Sequence, residues 1–207
     1  VRAFFKVWGS GADDVYIVGQ NGAVLHWDGE SLVELHVGVG EDLIGVWGTG
    51  PDRVAVIGAG GVGLNVIQVA RLSGASQVIA IDRAPSKERI ATEFGATDFL
   101  LADSDDFDAV AAVQQLSGGG VDHAFEVVGS TKLLADAISM ARAGGNVCAV
   151  GVPDLTATVT YPFQALHQNK NLLGIRAGGG KPRRDFPLLA DLYLRGMLRL
   201  DELVSHT

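Results

Sequence analysis

The glycines of Gly58-Ala59-Gly60-Gly61-Val62-Gly63 stand between an apolar run, VAVI, and a second one, LNVIQVARLSG. A G-x-G-x-x-G spacing is weak evidence alone, because glycines also serve turns that hold nothing. Placed after a buried strand and at the head of an apolar helix, it predicts a phosphate-binding turn. Gly58 would make the tight bend, Gly60 would let a pyrophosphate approach the backbone, and Gly63 would let helix and strand pack closely. The amides opening the helix at Gly61 and Val62 would then face the phosphates, aided by the helix dipole.

A second strand, VIAID, ends in Asp82, twenty-four residues after Gly58. A carboxylate there can accept hydrogen bonds from both adenosine-ribose hydroxyls and repels a 2′-phosphate, so NAD is favoured over NADP. Arg83 adjoins the same ribose and is a counter-signal, because an arginine there could meet a phosphate. The competing reading makes Asp82 a cap for the helix that follows.

From Arg53 onward the pattern alternates strand and helix, as in a parallel α/β sheet. Strands are expected at 53–57, 77–81, 98–101, 121–127, 146–152 and 172–176. Helices are expected at 62–73, 86–94, 107–116, 132–141 and 183–195, with Gly74, Gly95, Gly144 and Gly196 as left-handed C-terminal caps. The fold class is α/β, a Rossmann-type doubly wound parallel sheet preceded by a small antiparallel β module.

That module occupies residues 1–50, with strands expected at 4–8, 15–18, 23–27, 32–37 and 43–47. Gln20-Asn21-Gly22 and Asp28-Gly29 supply its turns. VWGSGADDVYIVG at 7–19 and VWGTGPDRVAVIG at 46–58 share seven of thirteen positions, thirty-nine residues apart. Such a period resembles the tryptophan-glycine repeat of bacterial β-propellers. Just over one repeat is present, whereas a stable array asks for three or more. The module reads either as a protein-binding blade or as a β-meander packed on its neighbour. V-A-V-I-G suits both folds, but its continuous apolar run fits a buried parallel strand better. The boundary is therefore expected near Pro51, giving domains 1–50 and 51–207.

A net charge of −8 argues against nucleic acid and acidic membrane surfaces as partners. One cysteine, Cys148, allows neither an intrachain disulfide nor a cysteine-based zinc cage from this chain alone. No secretory leader or membrane span is expected, since glycines, Asn65 and Gln68 interrupt the apolar stretch 54–70. A cytoplasmic setting fits these features. A start at valine suggests a fragment, and a motif shared by both folds suggests a fusion.

Four stretches together carry a family resemblance: VAVIGAGGVGLNVIQVARLSGASQVIAID, GGGVDHAFEVVGS, AGGNVCAVGVP and PRRDFPLLADLYLRGMLRLDELVSHT. Residues 53–207 resemble the cofactor domain of the medium-chain, zinc-type alcohol dehydrogenases. The resemblance implies that Lys87 reaches the adenosine ribose and that Val127 and Val128 flank the cofactor. It also implies that Val150, Gly151 and Val152 meet the carboxamide side of the nicotinamide through their backbone. Plain sheet core remains the alternative for these valines. Family members often dimerise by joining the last strands of their sheets, here residues 171–177, which gives a possible homodimer.

In that family a zinc held by cysteine and histidine polarises the alcohol, and its ligands lie mostly in a preceding domain. Here the first fifty residues hold no cysteine, and His26 and His36 sit at strand positions. His123 and His167 lack a second ligand at helical spacing, and His206 lies in the terminal Ser-His-Thr. No catalytic or metal-ligating residue is assigned. A G-x-S-x-G elbow is missing, and Gly178-Gly179-Gly180-Lys181 is followed by proline rather than Ser or Thr. The run Asp103, Asp105, Asp106 and Asp108 lacks the glycine and closing glutamate of a calcium loop and is expected to cap and solvate the next helix.

The leading expectation is an NAD(H)-binding domain of dehydrogenase type, inactive without zinc from elsewhere. A protein-interaction module fused to a nucleotide-binding scaffold or NAD sensor is the alternative. Zinc-dependent alcohol oxidation by this chain alone is the third possibility.

Overall fold

A computed structural model describes residues 2–44 and 52–204 of the chain. It contains two compact units, Val1–Pro51 and Asp52–Thr207.

The described residues of the first unit form a four-stranded antiparallel meander of β1 (Phe4–Gly11), β2 (Asp14–Gly19), β3 (Val24–Trp27) and β4 (Leu32–Leu35), paired in chain order. Asn21 (φ 54°) and Gly22 (φ 69°) both enter the left-handed region between β2 and β3, which is why the chain places Asn-Gly there. Trp8, Tyr16 and His26 are register partners on adjacent strands and stack, at 6.1 and 4.2 Å between successive ring centroids. His26 Nε2 also lies 2.8 Å from Asp14 Oδ1, so this imidazole is occupied by packing and pairing.

Three expectations for this unit need correction: the first strand runs past residue 8 to Gly11. The fourth strand stops at Leu35 instead of residue 37. Leu43 and Ile44, expected to begin a fifth strand, are not in a strand; the Leu43 N–H instead donates to the Gly19 carbonyl at 2.9 Å. The remainder of that expected strand, the second copy of the repeat up to Pro51, and His206 lie outside the described residues.

Among its described residues the second unit holds six strands: β5 (Arg53–Ile57), β6 (Gln77–Asp82), β7 (Asp98–Leu101), β8 (Val121–Glu126), β9 (Ala141–Ala149) and β10 (Asn171–Gly174). All pairings are parallel, in the order β10-β9-β8-β5-β6-β7. Numbered within this unit, that is 3-2-1-4-5-6 read from the other edge, the doubly wound order with its switch point between β5 and β8. Five main helices complete it: α1 (Gly61–Leu72), α2 (Lys87–Glu93), α3 (Ala109–Leu116), α4 (Thr131–Met140) and, after the short α5 (Phe163–Leu166), α6 (Pro182–Leu194).

Strand periodicity decides which side chain goes where. On β5, Val54 and Val56 join Leu64, Ile67 and Phe94 on one face of the sheet, while Ala55 and Ile57 join Val113, Ile138 and Met140 on the other. Both faces are covered, so the strand needs an unbroken apolar run. Asp108 caps α3 by accepting from Ala111 N–H at 2.9 Å, the role expected of the acidic run.

Beyond shifts of one or two residues at element ends, as at β8, β10 and α3, three details of this unit differ from expectation. β9 covers Ala141–Ala149, not 146–152, because the Val150 and Gly151 N–H groups both turn onto the Glu126 carbonyl at 2.9 Å. Gly144 (φ 75°) lies within β9 and caps no helix; α4 already ends at Met140, with Ala141 extended. The single turn α5, introduced by Pro162, is too short to leave a periodic signal.

Candidate functional site

β5 runs into the glycine turn at the switch point. Gly58 has φ +103°, a conformation L side chains rarely adopt, and a Cβ there would stand 2.8 Å from Val128 Cγ2 and 3.2 Å from Val127 Cγ2. At Gly63 a Cβ would fall 1.8 Å from the Gly58 carbonyl oxygen. Gly60 and Gly61 are different: a Cβ on either would meet nothing within 4 Å. The first pair therefore closes the turn, and the second pair leaves its outer side open.

α1 starts without a side-chain cap, and the Leu64 N–H donates to the Gly60 carbonyl at 2.8 Å. The amides of Gly61, Val62 and Gly63 precede any intrahelical acceptor. They present the positive end of the helix dipole beside the open glycines, an arrangement that favours an anion.

Asp82 closes β6 and is aimed at this turn. Its Oδ2 accepts from the buried Ala59 N–H at 2.8 Å and its Oδ1 from Ala84 N–H at 2.9 Å. An ionised carboxylate offers about four acceptor positions, so two bonds leave capacity for hydroxyl donors. The helix-cap alternative is set aside: α2 begins after Ser86, with no side-chain cap, and Asp82 bonds elsewhere.

A cavity of about 690 Å³ lies alongside, walled in part by Gly58, Asp82, Arg83, Val128, Phe107 and Met140. Arg83 is exposed and its guanidinium stands 3.9 Å from Asp105. Lys87 is half-buried at the first position of α2 and does not line the cavity. Asp136 does, and burial pushes its carboxyl up, with Lys132 opposing and Asp108 adding to the rise.

Two loops form the other side of the switch point. Val127–Val128 follow β8, and Val150, Gly151 and Val152 follow β9. Their backbones touch so closely that a Cβ on Gly151 would lie 2.1 Å from Gly129 N, and one on Gly129 would lie 2.8 Å from the Val152 carbonyl oxygen. Gly151 is thus required by packing. Val128 and Val152 are 57% and 78% exposed, so these two side chains are not sheet core.

Sequence reasoning passed over Glu126, at the end of β8 and only 2% exposed. Its Oε1 accepts from the N–H groups of Val128, Gly129 and Ser130, at 2.9, 2.8 and 3.3 Å. The available signal was an acid inside the apolar run AFEVV.

A zinc ion finds no donor set here. Cys148 is buried on β9, where burial pushes its thiol up, and His123 Nε2 lies 3.3 Å from Asp52 Oδ2 while its Nδ1 faces Asn146. Among the described residues, no three His, Cys, Asp or Glu side chains are grouped to hold a metal. No helix among them is long and apolar enough to cross a membrane.

Comparison with known proteins agrees with this geometry. Residues 61–195 match the family model described as zinc-binding dehydrogenase. Alcohol dehydrogenase-like 6 of Arabidopsis thaliana is 34% identical over 146 residues, covering 70% of this chain and 38% of the relative. Benzyl alcohol dehydrogenase from Acinetobacter calcoaceticus superposes with a TM-score of 0.70 at 32% identity, over 73% of this chain and 42% of that one. A zinc-binding dehydrogenase from Sinorhizobium meliloti 1021, solved bound to NADP, gives 0.65 at 32% identity, over 74% and 44%. The chain spans about two-fifths of the length of the relatives it matches. On the strength of that family match and the doubly wound sheet, the chain belongs to the zinc-binding dehydrogenase family, its α/β unit being a dinucleotide-binding domain of the zinc-type alcohol dehydrogenase kind.

Proposed function

We propose that the Asp52–Thr207 unit binds NAD(H) as the cofactor half of an alcohol or aldehyde dehydrogenase. The observation that carries this reading is the aim of Asp82 at a turn whose outer side is open and whose helix amides are uncapped. Gly58, Gly60, Gly61, Val62 and Gly63 cradle the pyrophosphate, with Gly58 and Gly63 shaping the turn. Asp82 accepts from the adenosine ribose, with Arg83 and Lys87 beside it. Val127 and Val128 flank the cofactor at the switch point, and Val150, Gly151 and Val152 present backbone groups to the nicotinamide carboxamide.

Bound there, NAD would supply hydride acceptance from an alcohol. The residues of this unit bind and orient it; the zinc and the substrate are handled outside the described residues, so the unit alone turns over no alcohol. The edge strand β10, paired on one side only, supports pairing with a second copy through residues 171–177. The single cysteine supports a reducing, cytoplasmic setting. No observation favours the alternative in which residues 1–50 form an interaction module on a nucleotide-binding scaffold.

Titrating the chain with NADH and with NADPH, read by nicotinamide fluorescence, tests the reading. NADH should bind at least tenfold tighter, because Asp82 repels a 2′-phosphate. Equal affinities would overturn the choice of NAD.

A further inference from the structure

Glu126 is a buried acid that the cofactor reading leaves without a role. It sits between β5 and β9 at the C-terminal end of the sheet, in register with Ile57 and Ala149. One carboxylate oxygen gathers three successive backbone amides of the loop after β8. Its other oxygen faces the loop after β9, 2.7 Å from where a Gly151 Cβ would stand. Its main-chain carbonyl takes the Val150 and Gly151 N–H groups of that same loop. None of the ion pairs among the described residues involves Glu126.

We infer that Glu126 is a positioning residue that fixes both nicotinamide-side loops and shifts the balance of binding toward the oxidised cofactor. The inference rests on the NAD(H) reading above. The nicotinamide ring carries a unit positive charge in NAD⁺. It carries none in NADH, since the arriving hydride brings one electron pair into the ring and cancels that charge. A carboxylate without a countercharge, shielded from water between the loops that hold the ring, attracts the first form and is indifferent to the second. Acceptance of three amides also sets where Val128 and Ser130 stand, so one side chain supplies both shape and field.

The test compares dissociation constants of NAD⁺, NADH and ADP-ribose for the wild type, Glu126→Gln and Glu126→Asp. Glutamine keeps an acceptor oxygen and loses the charge, whereas aspartate keeps the charge and shortens the reach. In Glu126→Gln the ratio of NAD⁺ to NADH dissociation constants should rise about tenfold, with ADP-ribose, which lacks the ring, unchanged. In Glu126→Asp both nicotinamide forms should weaken together, leaving the ratio within about twofold of the wild type. Because the ratio is read within one variant, a general loss of affinity cancels. An unchanged ratio in Glu126→Gln, or an equal rise in Glu126→Asp, overturns the inference while leaving NAD(H) binding intact. Failure of the wild type to bind any of the three ligands overturns both readings.

Discussion

Gly63→Ala is expected to lower the melting temperature of the α/β unit by about 10 °C. A methyl at this position would lie 1.8 Å from the Gly58 carbonyl oxygen. The obstacle is backbone, so nothing flexible can move aside. Either α1 slides off β5 or the turn opens, and both expose the packing of Leu64 and Ile67 against Val54 and Val56. Overpacking of this severity costs about 3 kcal/mol, and each kcal/mol lowers the midpoint by about 2–4 °C in a unit of this size. Gly60→Ala is the matched control. Its Cβ would meet nothing within 4 Å, so the melting temperature should hold within about 2 °C while NADH binding falls, since the methyl occupies the pyrophosphate's path. Thermal unfolding followed by circular dichroism separates the two. Equal destabilisation by both substitutions would show that the glycines are all structural.

Asp82→Ala is expected to weaken NADH at least about a hundredfold. Two charge-assisted bonds to ribose hydroxyls would be lost, each worth about 1.5–3 kcal/mol, and 1.4 kcal/mol corresponds to a factor of ten. The substitution also strands the Ala59 and Ala84 N–H groups, and Ala59 is fully buried. Some stability should therefore go with it, about 1–3 kcal/mol. Asp82→Asn keeps one acceptor oxygen and isolates the charge: it should weaken NADH less than alanine does and narrow the gap between NADH and NADPH. An NADH titration in which Asp82→Ala stays within threefold of the wild type would remove Asp82 from the cofactor.

The α/β half was readable because its physics is local. Val54–Ile57 had to be a two-sided buried strand, Gly58–Gly63 a turn into a helix, and Asp82 a strand-end acid beside it. What stayed hidden was set by contacts distant in sequence. Nothing near Val150 announces that its N–H and that of Gly151 turn back onto Glu126, so the end of β9 was placed three residues too far along the chain. Its start was masked by glycines: Gly144, read as a helix cap, is a positive-φ residue within the strand. Glu126 itself was passed over because an acid amid Phe125 and Val127 looks like noise until its three amide partners are seen. Among the four glycines, the separate roles read from spacing match the packing, with Gly58 and Gly63 closed in and Gly60 and Gly61 open. In the β module, strand length followed cross-strand partners: β4 ends with Leu35 because β3 begins its pairing at Val24.

The most direct measurement is a two-dimensional amide NMR spectrum of the ¹⁵N-labelled chain with and without NADH. The amides of Gly60, Gly61, Val62 and Gly63, together with Ala59 and Ala84 beside the Asp82 carboxylate, should move far more than those of β1 to β4. Saturating NADH that leaves these six resonances in place would contradict the account.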